Sequence, residues 1–390
     1  MNENQQTSLI DYTIIFVLVA LGVISCFTLY SINPILSASD QGAYFKQIFW
    51  YGLGGVAAAV VMIIDYDRLH QLVWFLYGIG IMMLLMLFLN IPSSFVHTSG
   101  GATSWFILPG NITLQPAEFV KVFLVITLAH VAVRHHEKYP VKTVRSDLLL
   151  LGKHLILSLP PMVLIAVQPD LGSFLVLVAI TGFIILVSGI QWKVLFSLFS
   201  ILLLVIAGVI LTFVINITSI TTFLAESVFS HVDSRFYGWL EPEKYELSAG
   251  SQLIKSITAI GSGQLYGKGV GNFEIYVQER HTDMIFTAIS EQFGFIGSSI
   301  IVTLFFLLIY RMIQIALDSN DSFGSYLIVG IVGMITFQVF QNIGMSVQLL
   351  PITGIPLPFL SYGGSSTLAY LIAIGIVLNV RSRTRTFMFE

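Results

Sequence analysis

Uncharged apolar runs of membrane-spanning length recur along this chain, and they limit its possible folds more than any other feature. A hydrocarbon core of roughly 30 Å takes about 20 helical residues to cross. Uncharged runs lie at 12–30, 48–64, 72–91, 171–190, 194–217, 323–350 and 360–380, and two more, 116–133 and 284–310, are apolar apart from embedded charges. The weakest run, 155–167, is short and carries Pro160-Pro161, so it reads as a broken or shortened span. Of 390 residues, 56% are hydrophobic and 10% charged, against roughly 25% charged in soluble domains. The expected fold is an all-α integral membrane protein of about ten transmembrane helices, a single polytopic domain over 1–390.

No Lys or Arg precedes the first run and no small-residue cleavage site follows it, so a retained helix is expected. The lone cysteine, Cys26, permits no intramolecular disulfide. The net charge of -3 implies nothing about nucleic acid, and none is expected as a partner.

Lys and Arg in short loops set the orientation. Loop 134–153 holds Arg134, Lys138, Lys142, Arg145 and Lys153, and the C-terminus holds Arg381, Arg383 and Arg385. Arg68, Lys193 and Arg311 fall on the same side, whereas 92–114, 168–170 and 351–359 hold no Lys or Arg. Both termini are therefore expected in the cytoplasm. The segment 218–283, before the eighth span, carries five basic residues yet falls outside; long loops translocate largely regardless of charge. It is the expected long extracellular loop. Within it, Leu253, Ile254, Ile257 and Ile260 recur at helical spacing with Ser251, Lys255 and Ser256 between, which suits a helix along the outer interface. Gly261 through Gly271 then read as a flexible, turn-rich stretch.

Ionisable residues inside a membrane are functional hypotheses by default. Glu118 and Lys121 are three apart, on one helix face. They form either a structural ion pair or an outward cavity in which Lys121 meets an anionic group such as a phosphate. Asp283 stands just before a long apolar run, where it is either an ordinary helix cap or a general base with a perturbed pKa. Glu291, eight residues on, reads as a buried hydrogen-bonded partner rather than a second catalyst. Gly100 through Trp105 and Leu350 through Ser366 read as irregular backbone, tolerated only where it lines a cavity. The second stretch is either a phosphate site at a helix N-terminus or a re-entrant plug, and Trp105 is alternatively an interfacial belt aromatic. His135, His136 and His154 lie without partners at ligand spacing, so no metal site is expected.

Five stretches together resemble the shape, elongation, division and sporulation (SEDS) family of bacterial membrane glycosyltransferases. They are Trp105 with Gln115-Pro116-Ala117-Glu118-Phe119-Val120-Lys121; Gln168-Pro169-Asp170-Leu171-Gly172-Ser173; Ala259 through Gly271; His281-Thr282-Asp283-Met284-Ile285-Phe286; and Leu350 through Ser366. The Gly354-Ile355-Pro356-Leu357-Pro358 segment looks more like the rod-shape (RodA) branch than the division (FtsW) branch. Ser104 stands where the family commonly has Arg, which transfers any phosphate contact of that Arg to another cation.

The resemblance implies polymerisation of lipid II at the outer face of the bacterial plasma membrane during cell elongation. The donor is the undecaprenyl-pyrophosphate-linked glycan strand and the acceptor the 4-hydroxyl of lipid II. Asp283 is then the general base, with Lys121, Arg235 and Lys268 as cations for the leaving pyrophosphate. Glu118, Trp105, His281 and Ser365 complete the expected substrate-binding set. The implied partners are a class B penicillin-binding protein, supplying the transpeptidase, and the elongation machinery. No cofactor is expected, and the sequence is silent on divalent cations. The competing reading is a lipid II flippase.

Overall fold

A computed structural model describes residues 11–38, 40–99, 102–108, 112–215, 235, 238–245 and 250–384. Among the described residues, eight helices are long and apolar enough to cross a membrane. They are α1 (Tyr12–Ile32), α2 (Ala43–Ile63), α3 (Leu69–Phe88), α4 (Pro116–Lys138), α5 (Val144–Val167), α9 (Ile285–Asp318), α10 (Ser322–Ser346) and α11 (Gly364–Thr384). The apolar helices α6 (Leu171–Val187) and α7 (Trp192–Ile215) stand where two further spans are expected. The short α8 (Ser251–Ser262) precedes α9.

Local sequence sets the helix starts. Asp11, Thr143, Asp170 and Asp321 each accept a bond from a main-chain N–H in the first turn, at 3.2, 3.1, 2.9 and 2.8 Å, relieving one of the orphan donors of a helix N-terminus. The bundle is centred on α4, α10 and α11, whose apolar stretches are 83%, 72% and 83% buried, whereas that of α2 is 11% buried. Close approach at the centre needs small residues. A Cβ on Gly330 of α10 would stand 2.7 Å from Val125 of α4.

Three expectations are corrected. The span at 155–167 is neither short nor broken: α5 runs unbroken from Val144 through both prolines. Pro161 cannot pair with the carbonyl of Leu157, and the Tyr77 hydroxyl of α3 donates to that carbonyl at 2.8 Å instead. The basic loop accordingly shrinks to 139–143, and His135, His136 and His154 are on helices.

The stretch around Trp105 is not irregular. Strands β1 (Val96–Ser99), β2 (Ala102–Leu108) and β3 (Ile112–Leu114) form an antiparallel sheet in the order β1-β2-β3, with His97 opposite Trp105 and Phe106 opposite Leu114. Cross-strand pairing satisfies backbone polar groups that lipid cannot. Gly100 and Gly101 lie outside the described residues.

The third correction falls within 218–283, of which 218–234, 236–237 and 246–249 lie outside the described residues. α8 buries Leu253, Ser256 and Ala259, and the Ser256 hydroxyl donates to Ser346 O of α10 at 2.8 Å. The glycine-rich turn beyond it is tied down. α9 breaks at Gly294, with φ 63° and ψ −155°. The groups freed there pair with the turn: Lys268 N–H donates to Glu291 O (3.0 Å), Gly269 N–H to Gln292 O (3.1 Å) and Phe295 N–H to Gln264 O (2.8 Å).

By contrast, 351–357 has no regular secondary structure, and side chains take up its carbonyls. Gln341 Nε2 donates to Pro351 O at 2.9 Å, Arg235 Nη1 to Thr353 O at 3.3 Å and Asn342 Nδ2 to Ile355 O at 2.7 Å.

Candidate active site

The starts of α2, α4, α6, α9 and α11, with the sheet and the 353–356 segment, surround a cavity of about 920 Å³. That is at the upper end of ligand pockets, which run to about 1,000 Å³. All of its lining belongs to this one end of the bundle. At the other end three arginines are paired across elements: Arg311 with Asp11 (2.7 Å), Arg381 with Asp318 (3.1 Å) and Arg383 with Asp65 (2.9 Å).

Glu118 and Lys121 are in the cavity wall and bonded to each other at 2.7 Å, with side chains 3% and 1% exposed. They form a buried ion pair, and it borders the polar space.

Asp283 also lines the cavity and is half-buried. It does not cap α9, whose N-cap is Met284 with no side-chain capping bond. Its Oδ1 receives a long 3.4 Å contact from the Thr282 hydroxyl, which is 2.8 Å from Glu279 Oε2. Burial, followed by the negative charge of Glu279, raises the Asp283 pKa to about 7, against an opposing pull from Arg235. A carboxylate so placed exchanges a proton near neutral pH.

Arg235, Trp105 and His281 line the same cavity. His281 is buried, with Nε2 4.0 Å from Asp40 Oδ1. Two expected contacts are absent. Lys268 lies outside the lining and pairs with Glu274 (2.5 Å) and Glu291 (3.6 Å). Ser365 is also outside the lining: its hydroxyl accepts from Gln115 N–H at 3.0 Å and donates to Thr113 O at 3.2 Å, pinning β3 to α11, and Ser366 lines the cavity beside it. Glu291 is fully buried and holds Arg280 at 3.0 Å, a structural network behind the site.

Three lining residues were given no role at the site from the sequence. Lys46 adds a cation from the first turn of α2, Glu279 adds the acid that acts on Asp283, and Asp170 holds Gln115 Nε2 at 3.0 Å. Beside Lys46, the exposed rings of Phe45 and Phe49 carry the lining onto the poorly buried α2, so the polar space adjoins an apolar face. No cluster of three or more His, Cys, Asp or Glu side chains able to hold a metal ion occurs among the described residues.

Apolar helices around a charge-lined cavity at one end define a multi-pass helical membrane protein. The FtsW/RodA/SpoVE family model, described as cell cycle protein, matches residues 10–386. The chain belongs to this family, the SEDS family that its motifs resemble. It is similar to the probable peptidoglycan glycosyltransferase FtsW of Bacillus subtilis (34% identity over 388 residues, covering 95% of this chain and 90% of that one). The peptidoglycan glycosyltransferase MrdB of Escherichia coli K12 is 30% identical over 382 residues, covering 96% of this chain and 94% of the relative. The fold of the present chain matches a chain described under structural coordination of polymerization and crosslinking by a peptidoglycan synthase complex. The TM-score is 0.75 at 25% identity, covering 96% of this chain and 98% of that one.

Proposed function

We propose that this protein polymerises lipid II into glycan strands at the outer face of the plasma membrane. The observation that carries the reading is the cavity itself. It joins a carboxylate titrating near 7, three cationic side chains and an apolar wall on a lipid-facing helix. That combination suits a polar, anionic headgroup on a lipid tail, and the peptidoglycan glycosyltransferase relatives supply the reaction class.

In this reading Asp283 takes the proton of the acceptor 4-hydroxyl as its oxygen attacks the anomeric carbon of the donor strand. The new C–O bond forms with inversion while the bond to the undecaprenyl pyrophosphate breaks. Lys121, Arg235 and Lys46 meet the charge that develops on the pyrophosphate. An activated leaving group of this kind needs no second carboxylic acid, unlike glycoside hydrolysis. Glu118 keeps Lys121 in place, and Trp105 and His281 bound the headgroup. Lys268 and Ser365 have no role at the cavity.

The crosslinking named for the matched complex supports a class B penicillin-binding protein as partner, and Gly354 through Pro358 support work within the elongation machinery. A flippase needs a cavity that reaches both faces, and the lining here stays at one. Purified protein, mixed with its cognate penicillin-binding protein and labelled lipid II, is expected to yield glycan strands resolvable by gel. Transfer of lipid II between leaflets without polymer would favour the flippase instead.

A further inference from the structure

Asn342 is fully buried near the end of α10 and does not line the cavity. Its Nδ2 donates to Asp283 O and to Ile355 O, both at 2.7 Å, while its own Oδ1 has no partner among the described residues. A polar side chain in a spanning helix, with both amide hydrogens committed to loop carbonyls, calls for a reason beyond packing.

The surrounding bonds supply one. Three consecutive carbonyls are held from across the site: His281 O by Tyr362 N–H (2.9 Å), Thr282 O by the Ser361 hydroxyl (2.5 Å) and Asp283 O by Asn342. The first two bonds already tether the segment. Asn342 joins it to the opposite wall at Ile355, next to Gly354, while the Ser361 hydroxyl, which accepts from Leu357 N–H at 2.8 Å, joins it further along that wall. Two residues before Ile355, Thr353 O accepts from Arg235 Nη1 at 3.3 Å. A Cβ on the intervening Gly354 would lie 3.8 Å from Asp283 Oδ2, so this wall faces the carboxylate directly. A continuous path thus runs from Asp283 through Asn342, Ile355 and Thr353 to Arg235.

We propose that Asn342 is a positioning residue that sets the separation between the carboxylate of Asp283 and the Arg235 cation. The inference rests on the polymerase reading, in which those two groups serve the attacking hydroxyl and the leaving pyrophosphate. Asn342→Leu keeps the size and removes both donors.

Two measurements test it: kcat and KM for lipid II in the partner complex, and maleimide labelling of Asp283→Cys in a Cys26→Ser background, each with and without the Leu substitution. A displacement of about 1 Å costs on the order of 10² in rate. The expected result is therefore a kcat lower by about that factor, with KM within about threefold of the parent, and faster labelling at position 283. An unchanged kcat per folded molecule, or unchanged labelling, overturns the proposal. Should Asn342→Leu not fold, Asn342→Ser, which keeps one donor, is judged by the same two readings. Absence of polymer from the parent protein would count against the polymerase reading, and labelling would still decide the role of Asn342.

Discussion

A general base works best with a pKa near the working pH, and Asp283 reaches about 7 through two separable causes, burial and the charge of Glu279. The ionised form is the base, so polymerisation should rise with pH through about 7 and be lost below it. Glu279 disfavours that ionised form. Glu279→Gln therefore lowers the pKa of Asp283, and the rising limb of the pH–rate profile moves to lower pH. A limb left in place would show that Asp283 does not feel Glu279. Asp283, Lys121 and Trp105 were legible in the sequence because they stand in or beside apolar runs, within specific motifs. Lys46 was not, because it lies just before an uncharged run and reads as an ordinary flank. Lys268 and Ser365 read as free contacts. Their partners Glu291, Thr113 and Gln115 are distant in sequence, and only the fold brings them together.

Elements are placed at this site by interruptions whose backbone groups find partners elsewhere. The break in α9 at Gly294 lets its outer part, which follows Asp283 directly, pair with the turn at 264–269. A Cβ on Gly294 would run into the main chain of Leu265 and Gly267, and φ 63° with ψ −155° is a region that only glycine adopts readily. Gly294→Ala is expected to cost about 1–3 kcal/mol or more, visible as a lower melting temperature of the purified protein. A substitution without effect would mean that the break does not hold. The regular apolar period made most helices legible. It failed at α5, where the satisfying group for Pro161 is Tyr77 on another helix. It failed also at the sheet, where glycines flanking Trp105 suggested a loop although 102–108 pairs on both edges.

At the scale of the whole molecule, alternating spans put every cavity-lining residue at one end and the bulk of the short-loop cations at the other. The positive-inside bias supports the proposal that the cavity faces outward. Single cysteines at Lys142 and Lys244, in a Cys26→Ser background, test this in intact cells with a membrane-impermeant thiol reagent. Position 244 is expected to react and position 142 to stay protected; the reverse pattern would turn the cavity towards the cytoplasm.

In the proposed reaction the Asp283 carboxylate performs the chemistry, and Asp283→Asn isolates that role. The amide keeps the size of the side chain and removes the base. Polymerisation of purified lipid II by the variant, in complex with its penicillin-binding protein, should fall by on the order of 10²–10⁴, with partner and lipid II binding retained. Polymer formed at the rate of the parent protein would show that Asp283 is not the base.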